Sequence, residues 1–245
     1  MRPIGFSTGA LAYGDFPKAL RMLEGKSANA VELSALRTFE LPNLVAAADS
    51  LNLEDYDYVS VHAPSSFTAE EEPHIIEQLQ VFVKKDWPIV LHPDTVHSFD
   101  LWRSFGAHLC VENMDKRKPI GRKVSELEII FSALPDALFC LDLAHSRQVD
   151  SSMTESYLLL EKFGPRLRQL HVSEVDSNSK HDRISLGAIR AFQEVADLIP
   201  RDVPAIMESI VLEHQIEEEL DRARLALRPN EETARWQLGG FAIQH

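Results

Sequence analysis

Short apolar runs of strand length alternate with segments of helical period from one end of the chain to the other. The runs fall at about 3–8, 29–34, 57–62, 88–92, 108–113, 137–143, 167–173 and 203–209, and length and spacing mark them as strands. Helical patterns lie between them. Asp15-Phe16-Pro17 opens one with an acidic cap and an early proline, followed by Leu20 and Leu23 on one face. His74 to Lys85 carries Ile75, Ile76, Leu79 and Phe82 at core spacing, and Ser125 with Glu128 matches a capping box at the start of a helix to Leu134. Tyr157–Phe163, Ala188–Ile199 and Ile216–Leu227 supply the later helices.

Eight strand–helix units in 245 residues give roughly 31 residues each, the size of a βα repeat. This alternation predicts a parallel sheet with helices outside. A single-domain α/β fold, a (βα)8 TIM barrel over 1–228 with a tail over 229–245, fits it best. An open doubly wound sheet is the rival, weakened because no glycine-rich phosphate loop follows any strand.

Side-chain phase adds the chemistry. Seven runs end in an acidic or imidazole residue: Glu32, His62, His92, Glu112, Asp142, His171 and Glu208. Alternation along a strand turns each of these inward, while apolar neighbours such as Val31, Leu33, Leu141, Leu170 and Met207 face the helices. In a parallel barrel the carboxyl ends of the strands meet at one mouth, where such folds keep their chemistry. One inward carboxylate or histidine is more often a hydrogen-bonded structural group. Several together are costly to bury without a compensating charge. Glu112, Asp142, His171 and Glu208 are therefore expected to hold a divalent cation: zinc, manganese, magnesium or cobalt.

Composition narrows the partners. Asp and Glu outnumber Lys and Arg by 38 to 25, a net charge of −13, which argues against a nucleic-acid partner. The dense basic stretch, Lys116-Arg117-Lys118 with Arg122 and Lys123, reads as a solvated loop. Cys110 and Cys140 sit inside predicted strands as buried free thiols, which fits a reducing, cytoplasmic setting. No apolar run approaches membrane-spanning length, and the N-terminus lacks signal-peptide character. A homo-oligomer is possible, with no surface feature to choose its size.

In order and spacing, VHAP, LHPD, VEN, LDLAH, LHVSE, HDR-x-SLG and MES resemble the xylose-isomerase-like barrel superfamily of sugar isomerases, ketose 3-epimerases and endonuclease-IV-type apurinic endonucleases. The resemblance covers nearly the whole chain. It implies that Glu112, Asp142, His171 and Glu208 form the shared metal quartet, and that His62 and His92 complete a second site with Glu112 as the bridge. His145 matches a histidine that contacts substrate in the epimerases and a further metal in the endonucleases. The third endonuclease-type site is incomplete: Asp182 is present, but Ile184 stands where a histidine would fall, and His181 could replace it only with a shifted loop.

The expected activity is isomerisation or epimerisation of a small polyhydroxylated carbonyl substrate, a sugar, sugar phosphate or cyclitol. Glu112 and Glu208 would be the catalytic pair, moving a proton through a metal-stabilised enediolate. His145, Arg183, Glu32 and Asp182 are candidate substrate-binding residues. Glu32 could instead pair with Arg37, and Arg183 could be a surface salt bridge. Asn113 is expected to orient Glu112 or to close a backbone hydrogen bond. His97, His108, His181, His214 and His245 read as structural or surface groups. The alternative activity is a multi-zinc phosphoester hydrolase using His62 and His92, and a non-catalytic ligand-binding barrel is the third reading.

Overall fold

The computed structural model describes residues 2–229, so the expected tail lies, beyond Pro229, outside the described residues, with Trp236 and His245. Eight parallel strands close into a barrel: β1 (Ile4–Ser7), β2 (Ala30–Ser34), β3 (Tyr58–His62), β4 (Ile89–Leu91), β5 (Leu109–Glu112), β6 (Leu138–Asp142), β7 (Leu167–Val172) and β10 (Ala205–Met207). The ring order is β1-β10-β7-β6-β5-β4-β3-β2, sealed where Gly5 pairs with Ile206 on one side and Ala30 on the other. Each expected run contains one of these strands, and the doubly wound alternative is excluded. A two-residue hairpin, β8 (Glu174–Val175) with β9 (His181–Asp182), stands outside the ring, where the sequence pattern marks no strand.

The phase argument holds in three dimensions. Val90, Cys110, Cys140 and Leu138 pack together inside the barrel, as do Ala30, Tyr58 and Ile206. The alternate residues Val31, Leu33, Val111, Phe139, Leu141, Leu170 and Met207 join the outer core under the helices. Both cysteines are buried and free. Gly5 is demanded by packing, because a Cβ there would come within 1.5 Å of the Ala30 carbonyl oxygen. No described helix is long and apolar enough to cross a membrane.

The helices follow local signals with two corrections. Asp15 caps Phe16–Leu23, accepting from Lys18 N at 2.9 Å, with Pro17 in the first turn. The Ser125–Glu128 capping box does not form: the helix starts at Val124, two residues too early for Ser125 to cap it. Two other glutamates serve this end, Glu155 of a later helix accepting from Val124 N and Glu126 of the first turn accepting from Arg122 N. The expected helix 188–199 is two pieces, Leu186–Gln193 and a single turn at Ala196–Leu198.

Candidate metal centre

Six of the seven inward donors gather at the mouth region, and Glu32 lies below them. Glu32, His62, Glu112, Asp142 and His171 are buried, while Glu208 and His92, just beyond their strands, remain partly open. One ligand atom each from Glu112, Asp142, His171 and Glu208 lies within 4.8 Å of the others, and His62, His92 and Glu112 form a second such group. Glu112 belongs to both. Its Oε2 lies 3.3 Å from His62 Nε2, 3.3 Å from His92 Nε2 and 3.4 Å from His171 Nδ1.

The neighbours fix which atom each ligand offers. Asp142 uses Oδ1 to cap the helix Leu143–Val149, accepting from His145 N at 2.7 Å. Its Oδ2 has no hydrogen-bond partner among the described residues, nor do Glu112 Oε1 and His171 Nδ1. Buried polar atoms left this way cost roughly 1–3 kcal/mol each, and atoms turned toward one point are the mark of a cation site. His171 Nε2 lies 3.0 Å from Glu32 Oε2, so this nitrogen donates and Nδ1 is the atom left to face a cation. His62 donates from Nδ1 to the Ala63 carbonyl at 2.7 Å, leaving Nε2 as the ligand atom. The residues present therefore fit a divalent ion bound by oxygen and nitrogen.

The charges are out of balance without one. Burial, with Glu208 and Glu112 adding to it against His145, pushes the Asp142 carboxyl up to about 7. Burial also disfavours the Glu208 charge, but His171 and His181 outweigh it and hold the carboxyl at about 2. Glu112 is held well below the usual range by His171 and His92 despite its burial. His145 is raised to about 10, Asp142 and Glu112 overcoming the desolvation of its ring.

Some expected residues sit elsewhere. Glu32 does not reach the pocket or Arg37: it lies under the metal quartet, accepting from Gln169 Nε2 at 2.8 Å and Ser60 Oγ at 3.3 Å as well as from His171. Arg37 pairs with Glu40 instead. Arg183 lies outside the pocket lining, ion-paired with Glu218 and the buried Glu219. Exposed Asp182 accepts from Arg183 N and also lies outside the pocket lining. Asn113 closes backbone hydrogen bonds, taking one from Asp142 N and giving one to its carbonyl. His145 reaches the pocket, with Nδ1 3.1 Å from both the Asn113 carbonyl and Glu112 Oε1.

No family model and no curated protein matches this chain by sequence. Solved structures do match. They include 3-keto-D-glucoside 4-epimerase YcjR from E. coli (14% identity, TM-score 0.61, 92% of this chain and 99% of that one). Endonuclease IV from Thermus thermophilus matches at 18% identity and TM-score 0.60, over 92% and 98%. A xylose isomerase domain protein from Alicyclobacillus acidocaldarius matches at 11% and 0.62, over 93% and 98%. The chain shares the (βα)8 barrel fold of these structures. At these identities the likeness concerns the fold, and the chemistry rests on the side chains above.

Glu112 and Glu208 of the candidate quartet line a pocket of about 370 Å³. Three groups of its lining are not picked out by the sequence pattern. His181 reaches the mouth, its Nε2 3.7 Å from Glu208 and its ring 5.5 Å from that of His145. The hairpin β8–β9 carries it there, and Ser173 Oγ holds its Nδ1 at 2.8 Å. Its place three residues before Ile184 was the available signal. Tyr13, Leu36 and Ile210 supply apolar lining, and Asp115, Arg117 and Lys118 a charged one. The basic stretch is thus part of the mouth, not a detached solvated loop.

Proposed function

We propose that this chain is a divalent-metal-dependent isomerase or epimerase of a small polyhydroxylated carbonyl compound. The observation that carries this reading is the pair Glu112 and Glu208, two carboxylates of one metal quartet that also line the substrate-sized pocket. Their strands, β5 and β10, stand three places apart in a ring where four is the maximum.

When bound, a divalent ion supplies Lewis-acid polarisation of a carbonyl and its neighbouring hydroxyl. Glu112, Asp142, His171 and Glu208 would hold it. Glu208, kept ionised by His171 and His181, accepts the proton from the hydroxyl-bearing carbon next to the carbonyl. Returned by Glu208 to the adjoining carbon, that proton moves the carbonyl. Inversion of the centre instead has Glu112 pass on a proton taken up from solvent on another side, while Glu208 later releases its own to solvent. His145 and His181 offer ring nitrogens to substrate oxygens. Proton transfer of this kind contributes ~10²–10⁴-fold.

The test is deuterium incorporation from heavy water into a panel of ketoses and their epimers by the manganese- or zinc-loaded protein. Exchange that disappears in Glu208→Gln supports the reading. Absence of exchange and of turnover on every member would remove it.

A second reading is supported by His62 and His92 converging on Glu112: a multi-zinc phosphoester hydrolase in which two ions share that carboxylate. Elemental analysis separates them. Two or more zinc ions per chain with cleavage of a model phosphodiester favour the hydrolase, and a single ion with proton exchange favours the isomerase.

A further inference from the structure

Arg117 and Lys118 are the only lysine or arginine side chains lining the described pocket. They sit on a loop that is fixed in place. Met114 N donates to the Gly121 carbonyl at 2.8 Å, Lys118 N to the Asp115 carbonyl at 3.1 Å, and Lys116 N to Gln148 Oε1 at 3.2 Å. Gly121 takes φ +89°, and a Cβ there would come within 2.7 Å of Pro93 and 3.0 Å of Met114, so the loop closes against the end of β4.

Both cations are anchored from behind. Asp115 is buried and accepts on Oδ1 from Arg117 N (2.9 Å), Arg117 Nε (2.9 Å) and Ser179 Oγ (2.7 Å). Its contact with Arg117 Nη2 is long, at 3.5 Å. A guanidinium has five N–H donors, so most of the fork remains available on the exposed side. Lys118 Nζ uses one of its three donors on Asp94 Oδ2 at 2.8 Å. Two buried or nearly buried carboxylates thus orient two cations without exhausting them. The apolar lining of Tyr13, Leu36 and Ile210 contributes no positive charge to the same pocket.

We infer that Arg117 and Lys118, on their Asp115 and Asp94 anchors, form an anion subsite, and that the substrate is a polyhydroxylated carbonyl compound bearing a phosphate or carboxylate group. This rests on the isomerase reading for the reacting end of the molecule, and names what the other end carries. Pre-oriented charge-assisted donors give selectivity for such a group over the neutral sugar.

Calorimetric titration of the metal-loaded protein with fructose 6-phosphate, gluconate, fructose and inorganic phosphate tests it. Either or both anionic ligands are expected to bind about tenfold or more tightly than fructose, with phosphate competing if the group is a phosphate and gluconate stronger if it is a carboxylate. Arg117→Ala and Lys118→Ala should each remove that preference without changing fructose binding, and Arg117→Lys should restore part of it. Equal affinity for charged and neutral ligands, or variants that weaken both alike, would overturn the subsite. Anion preference lost in these variants, in a protein showing no deuterium exchange, would leave the subsite standing and discard the isomerase reading.

Discussion

Glu32 and His171 meet across the barrel interior, Oε2 to Nε2 at 3.0 Å, although β10 and β1 separate their strands in the ring. Both side chains are fully buried. The contact engages Nε2, so that the nitrogen facing Glu112 and Glu208 is the one left to bind a cation once it gives up its proton. Gln169, itself held by the Tyr58 hydroxyl at 2.6 Å, donates to the same Glu32 oxygen and braces it. Below the candidate metal quartet, the barrel floor is a polar network that orients the His171 imidazole.

Glu32→Gln should therefore weaken metal binding by ~10–100-fold with the fold intact. Competition against a chelator measures the affinity, and far-ultraviolet circular dichroism checks the fold. Unchanged affinity would mean that His171 holds its orientation without the carboxylate.

Removing a ligand should uncouple binding from folding in a defined way. Asp142→Asn keeps the helix cap to His145 N but loses an anionic donor. We expect a melting temperature in EDTA equal to or above that of the parent, since a partly uncompensated buried charge is gone. We also expect most of the metal-induced rise to be lost; a ligand at 100 times its Kd stabilises by ~2.7 kcal/mol. Differential scanning calorimetry with and without metal decides it.

The pH dependence follows from the Asp142 carboxyl, raised from 3.8 to about 7. The ion-free folded protein holds this proton where the unfolded chain has released it. The corresponding stability is fully present below about pH 4 and is lost as pH rises through about 7. A bound cation needs the ionised carboxylate and must expel the proton. Proton release on metal addition, followed with an indicator dye, should exceed that at pH 8 when measured at pH 6. Equal release at both would remove Asp142 as the titrating group.

Gly5→Ala tests the seam that closes the ring. Its Cβ would overlap the Ala30 carbonyl, a backbone atom that cannot swing aside. We expect destabilisation of about 3 kcal/mol or more, read from urea unfolding. A loss below about 1 kcal/mol, the lower end for overpacking, would show that β1 and β2 separate more easily than their pairing implies.

The barrel and its donors were legible because strand alternation is a local rule. Once Val31 and Leu33 turn outward, Glu32 must turn inward, and the same holds for His171 between Leu170 and Val172. The Ser125–Glu128 pair misleads because a capping motif is a preference that distant groups can displace, here Glu155 reaching Val124 N. Arg183 misleads because Glu219 lies 36 residues further on, beyond any local pattern. His181 and the Arg117–Lys118 loop look like surface because their hydrophilicity is the same whether they face bulk water or a polar pocket.

By itself the sequence determined the eight-fold repeat, the inward face of each strand and the kinds of donor at its end, since all three depend on residues a few positions apart. Only the tertiary structure decided which donors meet. Closing the ring put Glu32 behind His171 instead of in the pocket, and brought the basic loop and His181 over the mouth. Those contacts join residues tens to more than a hundred positions apart, and their distances are set by strand stagger and loop packing.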